Sequence, residues 1–199
     1  MAAIATGIEA RGRKRFLIDN LEAGSSFAPV VWLTGLSGAG KSTLASALAT
    51  RLRRKERAVE ILDGDELRRE LSPDLGFGPK DREMHNHRVI YVAGLLSRNG
   101  ITVIVPMISP YRKIRETAAS RLPGFCEIYV RCPLEECIRR DPKGLYRRAI
   151  SGEIRNFTGI DDPYEEPLSP AVVVDTGTDP VGKCVDQIMS VLTNQPVKT

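Results

Sequence analysis

Val30-Val31-Trp32-Leu33-Thr34-Gly35-Leu36-Ser37-Gly38-Ala39-Gly40-Lys41-Ser42-Thr43 is the stretch that decides the fold. From Gly35 to Thr43 it fits G-x-x-x-x-G-K-[ST], a loop whose successive backbone N–H groups turn toward one anion. Glycines at 35, 38 and 40 permit that turn, because a Cβ would obstruct several of the angles it needs. The flanks confirm the context. Val30 to Leu33 reads as a short apolar strand, and Leu44, Leu48 and Leu52 recur at helical spacing beyond the loop. Strand, glycine loop and helix in register make a phosphate cradle: the helix presents its positive dipole end, Lys41 reaches the β- and γ-phosphates, and the Ser42 hydroxyl can ligate magnesium.

Outward from the cradle, strand and helix patterns alternate. Strands are expected over 58–62, 101–105, 125–130 and 171–174, and helices over 66–71, 80–99, 111–121, 134–139 and 180–192. Ile101 to Val105 is β-branched at every position, as for a strand buried on both faces at the centre of a sheet. Gly100 is placed to end the helix before it. Five alternations with long crossovers predict an α/β fold, a doubly wound, mainly parallel five-stranded sheet flanked by helices. Residues 141–169 are rich in proline, glycine and charge, which reads as a mobile lid outside the core.

The 199 residues suit one domain over 29–199, preceded by a small, polar and basic arm over 1–28 that is expected to be flexible. Basic residues number 29 against 25 acidic, so the formal charge of +4 is interspersed rather than blocked. That pattern, with 6% aromatic residues, argues against a nucleic-acid surface and suits a small anionic substrate. Cys126, Cys132, Cys137 and Cys184 lack C-x-x-C spacing, which disfavours zinc and reads as core thiols of a reducing compartment. With no secretory leader pattern and no transmembrane-length apolar run, a cytoplasmic protein away from membranes is expected.

A phosphate cradle alone does not name a reaction. The second strand runs into Asp63-Gly64-Asp65 with Arg68 beyond, two carboxylates at the carboxyl end of a strand, where open parallel sheets keep their chemistry. One can support the magnesium shell and the other can accept the proton of an attacking hydroxyl. Helix capping by the same residues is the plainer reading, and it is compatible with both roles.

Seven motifs in order, Gly35 to Thr43, Asp63-Gly64-Asp65 with Arg68, Asp74 to Phe77, Asp81-Arg82, Ile108 to Arg112, Asp141 to Tyr146 and Asn156 to Glu165, give the chain a resemblance to the adenylylsulfate kinase family over about residues 28–193. The resemblance implies transfer of a phosphoryl group from MgATP to the 3′-hydroxyl of adenosine 5′-phosphosulfate (APS), giving PAPS and ADP in sulfate assimilation. It further implies a homodimer. It puts ATP on Gly35, Leu36, Ser37, Gly38, Ala39, Gly40, Lys41, Ser42 and Thr43, and magnesium on Ser42 and Asp63. Asp65 becomes the base at the 3′-hydroxyl, with Lys41 and Asp63 beside it. Arg68 and Arg82 would hold the phosphosulfate or ribose, and Phe77 and Phe157 would sandwich the adenine. Ile108, Ser109, Lys143 and Thr158 would complete the acceptor pocket. For Ser109 the resemblance raises a phosphoserine role, whereas direct in-line transfer is the simpler physics.

One departure stands out. Where the family pattern reads D-R-x-E-N-x-R-R, this chain has Asp81-Arg82-Glu83-Met84-His85-Asn86-His87-Arg88, with His85 at the place of a substrate-binding asparagine. His85 can donate a comparable hydrogen bond, Asn86 can do so from the next position, or the substrate has changed; His85 is the favoured choice because one step turns a helical side chain by about 100°. Two rival functions remain open at this stage: a kinase of another small phosphorylated metabolite, and a nucleotide-binding regulator without turnover.

Overall fold

The computed structural model describes residues 27–193. The arm expected over 1–28 falls almost wholly outside the described residues. In chain order the elements are β1 (Val30–Thr34), α1 (Lys41–Arg53), β2 (Val59–Ile61), α2 (Gly64–Leu71), α3 (Pro79–Arg98), β3 (Thr102–Pro106), α4 (Arg112–Arg121), β4 (Phe125–Arg131), α5 (Leu134–Arg140), α6 (Leu145–Ile150), β5 (Val172–Asp175) and α7 (Val181–Thr193). The expected strands and helices appear with their ends shifted by a residue or two.

All strand pairs are parallel, in the order β2-β3-β1-β4-β5. β3 is buried throughout, as its β-branched run predicts, but the centre of the sheet is β1, flanked by β3 and β4. β1 is buried at all five positions. Its side chains alternate between two cores. Val31 and Leu33 join Leu44 and Leu48 of α1 and Val185 and Ile188 of α7 on one face, while Val30 and Trp32 join Val89, Ile90 and Ala93 of α3 and Ala118 of α4 on the other. That two-sided burial is why the strand reads as an unbroken apolar run. From β1 the chain crosses to one edge and returns, then builds the other edge, so the carboxyl end of β1 lies at the switch point where such sheets bind ligands.

Helix ends follow local chemistry. The Asp63 carboxylate caps α2 by accepting from the backbone N–H of Asp65 (3.0 Å) and Glu66 (3.3 Å). Pro79 occupies the first turn of α3, and Gly100 follows its end with φ of 78°.

The expectation that residues 141–169 lie outside the core is corrected. Tyr146, Ala149 and Phe157 are members of the main core cluster, and Thr158 is buried. Within 141–169 a helix, α6, starts after Gly144, and the Asp141 carboxylate accepts from its first-turn N–H groups, those of Tyr146 and Arg147 (3.0 and 3.1 Å). The proline, glycine and charge content describes the segment's turns; two aromatic rings, Tyr146 and Phe157, meeting edge-on at 5.0 Å, anchor it in the main core. All four cysteines are buried free thiols, as expected. Among the described residues no helix is long and apolar enough to cross a membrane.

Candidate active site

The loop after β1 is shaped by close approach. A Cβ on Gly35, whose φ is 154°, would run into the carbonyl oxygen of Val130 on β4, and one on Gly38 would stand 3.0 Å from the carbonyl of Cys137. Side chains distant in sequence brace the loop from outside. Thr176 Oγ1 donates to Ala39 O (2.8 Å), Tyr146 Oη donates to Ser37 O (3.0 Å), and Arg140 donates to Thr176 O (2.7 Å) and Gly38 O (3.4 Å). The spacing of Thr176 and Arg140 marks neither as a site residue in the sequence, and Tyr146 enters there only as the end of the Asp141-to-Tyr146 motif.

Lys41 begins α1 with its side chain folded back over the loop. Its Nζ donates to the carbonyls of Gly35 (2.9 Å) and Leu36 (2.7 Å), and it is only 8% exposed. Burial pulls its pKa down to about 8, with Lys143 adding to the fall, while Cys137 and Asp65 act in the opposite direction. Asp65, in the first turn of α2, and Lys143, in the turn before α6, are thus both near enough to act on Lys41.

Asp65 itself is in the open, with 73% of its side chain exposed, and it forms an ion pair with Lys143. This pair joins the first turn of α2 to the Asp141-to-Tyr146 turn. Asp63 points one carboxylate oxygen at the first N–H groups of α2, the capping role that the sequence also allows.

The residues expected to face the acceptor are assembled around Arg82. Its Nε donates to Phe77 O (2.8 Å), one terminal nitrogen donates to Thr158 Oγ1 (2.7 Å) and lies 3.5 Å from Asp162, and the other donates to Asn156 O. A single guanidinium therefore ties the turn before α3 to the lid. Arg68 donates to Gly76 O (2.8 Å) and sits 5.0 Å over the ring of Phe77, which is 63% exposed. Arg68 has its pKa lowered, mainly by burial and then by Arg82. The bidentate pair of Arg88 with Asp74 (2.6 and 2.8 Å) fixes the same turn and holds the Asp74 carboxyl down at about 2. Phe157 is not exposed like Phe77; its ring is buried against Tyr146.

Ser109 has φ of 42° and is buried. Its hydroxyl donates to Asn86 Oδ1 (3.1 Å) and accepts from Trp32 Nε1 (3.1 Å). Asn86 in turn donates to Arg82 O (2.7 Å). His85, 1% exposed, pairs Nδ1 with the Ser72 hydroxyl at 2.9 Å, leaving Nε2 buried without a protein partner. Burial, then Arg68 and Arg88, push its pKa down to about 4, so it is neutral near pH 7. The two neighbouring positions thus divide the work: Asn86 braces Ser109, and His85 has the free ring nitrogen.

For magnesium, the donor set is hard oxygen: the exposed Ser42 and the second carboxylate oxygen of Asp63. Among the described residues no group of three or more His, Cys, Asp or Glu could cage a metal. A site of one hydroxyl and one carboxylate fits an ion that keeps waters and takes its other ligands from phosphates.

Comparison with known proteins agrees with this geometry. Residues 28–175 match the family model described as adenylylsulphate kinase. A probable adenylyl-sulfate kinase of Pyrococcus abyssi is 58% identical over 146 residues, covering 73% of this chain and 84% of that protein. An adenylyl-sulfate kinase of Picosynechococcus is 52% identical over 163 residues, covering 82% and 92%. Among solved structures, the Mycobacterium tuberculosis APS kinase in complex with AMPPNP and APS superposes with a TM-score of 0.80 at 40% identity, over 83% of this chain and 98% of that one.

Proposed function

Because the chain belongs to the adenylylsulfate kinase family, we propose that it transfers the γ-phosphoryl group of ATP to the 3′-hydroxyl of APS, giving PAPS and ADP. The observation that carries the reading is the convergence of Asp65 and Lys143 on Lys41. The carboxylate and the ammonium are paired with each other, and both act electrostatically on the cradle lysine.

In this mechanism the cradle N–H groups and Lys41 grip the triphosphate, and nucleotide phosphates replace the Gly35 and Leu36 carbonyls as partners of the ammonium. Arg68 and Arg82 hold the acceptor's anionic end, Phe77 offers its exposed face to the adenine, and Ile108, Thr158 and the His85 ring nitrogen line the pocket. Asp65 takes the 3′-hydroxyl proton as that oxygen attacks in line. Lys143, released from Asp65, is free to meet the transferring phosphoryl group. Magnesium on Ser42 and Asp63 would neutralise charge on the β- and γ-phosphates. Transfer is direct. The Ser109 hydroxyl is already engaged by Asn86 and Trp32, which supports a lining role for it rather than a phosphorylated intermediate.

We extend the reading to a cytoplasmic homodimer. Buried free thiols suit a reducing compartment, and Met84 and Tyr91, two turns apart on α3 and largely exposed, supply apolar surface for a second copy. Light scattering at micromolar concentration tests the dimer.

A coupled ADP-release assay with MgATP tests the reaction. Turnover that requires APS supports it, and turnover only with another acceptor, or none, overturns it. Asp65→Ala is expected to lower kcat by about 10²–10⁴-fold with ATP affinity nearly unchanged.

A further inference from the structure

Arg115 on α4 is the most deeply buried arginine of the described chain, 2% exposed, and takes no part in the chemistry above. Its three donor groups go to three different parts of the fold. Nε donates to Glu127 Oε1 on β4 (2.7 Å), one terminal nitrogen donates to Ser109 O (2.6 Å), and the other donates to Glu165 O at the far end of the lid (2.5 Å). The guanidinium also lies 5.8 Å from the ring centroid of Tyr164.

Tyr164 makes a second fastening beside it. Thr34 Oγ1, at the tip of β1, donates its only proton to Ile108 O (2.6 Å), so the hydrogen bond of 2.9 Å between Thr34 Oγ1 and Tyr164 Oη has the tyrosine as donor. The tyrosine ring stacks on Tyr129 of β4, with centroids 5.9 Å apart. Glu165 closes the junction from the lid side: its N–H donates to Pro110 O (2.9 Å) and its carboxylate accepts from the N–H of Arg112 (2.7 Å).

The carbonyls of Ile108 and Ser109 are thus both held, one through Thr34 by Tyr164 and the other by Arg115. Ser109 needs such holding, since φ of 42° is an uncommon conformation for a residue with a Cβ. The same two side chains reach the lid's distal end. We propose that Arg115 and Tyr164 are positioning residues that set the acceptor pocket through the Ile108-Ser109 backbone and lock the lid's distal end to it. This rests on the reading above that Ile108 and Ser109 line the APS pocket. Neither residue touches substrate. Their influence falls on the acceptor more than on the nucleotide, because Tyr164 meets only the side chain of Thr34 before the cradle, whose own carbonyls are held by Thr176, Tyr146 and Arg140.

The test is steady-state kinetics on wild-type protein, Arg115→Lys and Tyr164→Phe, with APS and ATP varied separately and thermal unfolding recorded alongside. Tyr164→Phe removes one hydroxyl and leaves the stacked ring. It is expected to raise KM for APS about 3–10-fold with KM for ATP within twofold, the size of one neutral hydrogen bond. Arg115→Lys keeps the charge but cannot bridge three acceptors, so KM for APS rises tenfold or more. The double variant should fall short of the product of the single effects, because both act through one loop. Should Arg115→Lys fail to fold, Tyr164→Phe decides by itself. Unchanged KM for APS, or equal rises in both KM values with a lowered unfolding temperature, overturns the proposal. Wild-type protein that does not turn over APS overturns the parent reading and this one together, whereas wild-type turnover with an unaltered KM for APS in the variants overturns this one alone.

Discussion

The phosphate cradle and the proposed acceptor pocket are built on opposite plans. The cradle comes from nine consecutive residues, Gly35 to Thr43, that follow the fully buried strand β1. The pocket is gathered from α2, the turn before α3, α3 itself, the β3–α4 loop and the lid, and Arg82 alone bridges Phe77 to Asn156 and Thr158. The cradle is held rigid because its glycines press against the backbone of Val130 and Cys137 and because Thr176, Tyr146 and Arg140 brace its carbonyls. A site gathered from five places owes its shape to the side chains that tie them, and those ties can be changed one at a time.

Gly35→Ala attacks the rigid side and carries the largest expected effect. Its methyl group would overlap the Val130 carbonyl in the middle of the sheet, where backbone must move to relieve it. A loss of about 3 kcal/mol or more in denaturant unfolding, with nucleotide affinity lost as well, is expected; a variant with wild-type stability would show that the loop is looser than the β4 approach implies. Lys143→Ala probes the assembled side. It should reduce kcat/KM for APS by about 10–100-fold while stability changes little, because the Lys143–Asp65 pair is exposed. Similar losses of stability and activity would mean that the lysine works by holding the lid down.

Two smaller effects come from titration. Lys41 is held near pKa 8 by burial, below its ordinary value of 10.5. The unfolded chain then binds the proton more tightly between pH 8 and 10.5, so this group's contribution to stability rises with pH across that window. Bound phosphate favours the charged ammonium, so nucleotide binding above pH 8 should take up a proton, detectable as a binding enthalpy that changes with the buffer's ionisation heat. His85 on the acceptor side behaves likewise at lower pH. With a pKa near 4 against 6.5 unfolded, it costs stability progressively as pH falls from 6.5 toward 4. Replacing it with asparagine should remove that acid sensitivity in a urea titration, while the wild-type rate profile has no step near 6.5 from this group.

The sequence by itself determined the parts whose meaning is local. The glycine spacing of 35, 38 and 40, the apolar strand before them and the alternation of helical and extended periods specified the cradle and the parallel sheet, because backbone sterics and side-chain period act over a few residues. The resemblance in seven motifs carried the reaction. Only the tertiary structure decided who faces whom. It drew Tyr146 and Phe157 of a turn-rich segment into the core, gave Asn86 to Ser109 and left a buried His85 nitrogen free, and chose Thr176, Arg140 and Arg115 as braces from positions with no motif of their own. The physical reason is distance along the chain. Thr176 meets Ala39 and Arg115 meets Glu165 only after the sheet has brought remote segments together, and a charge or hydroxyl has no periodicity from which such a partner can be read.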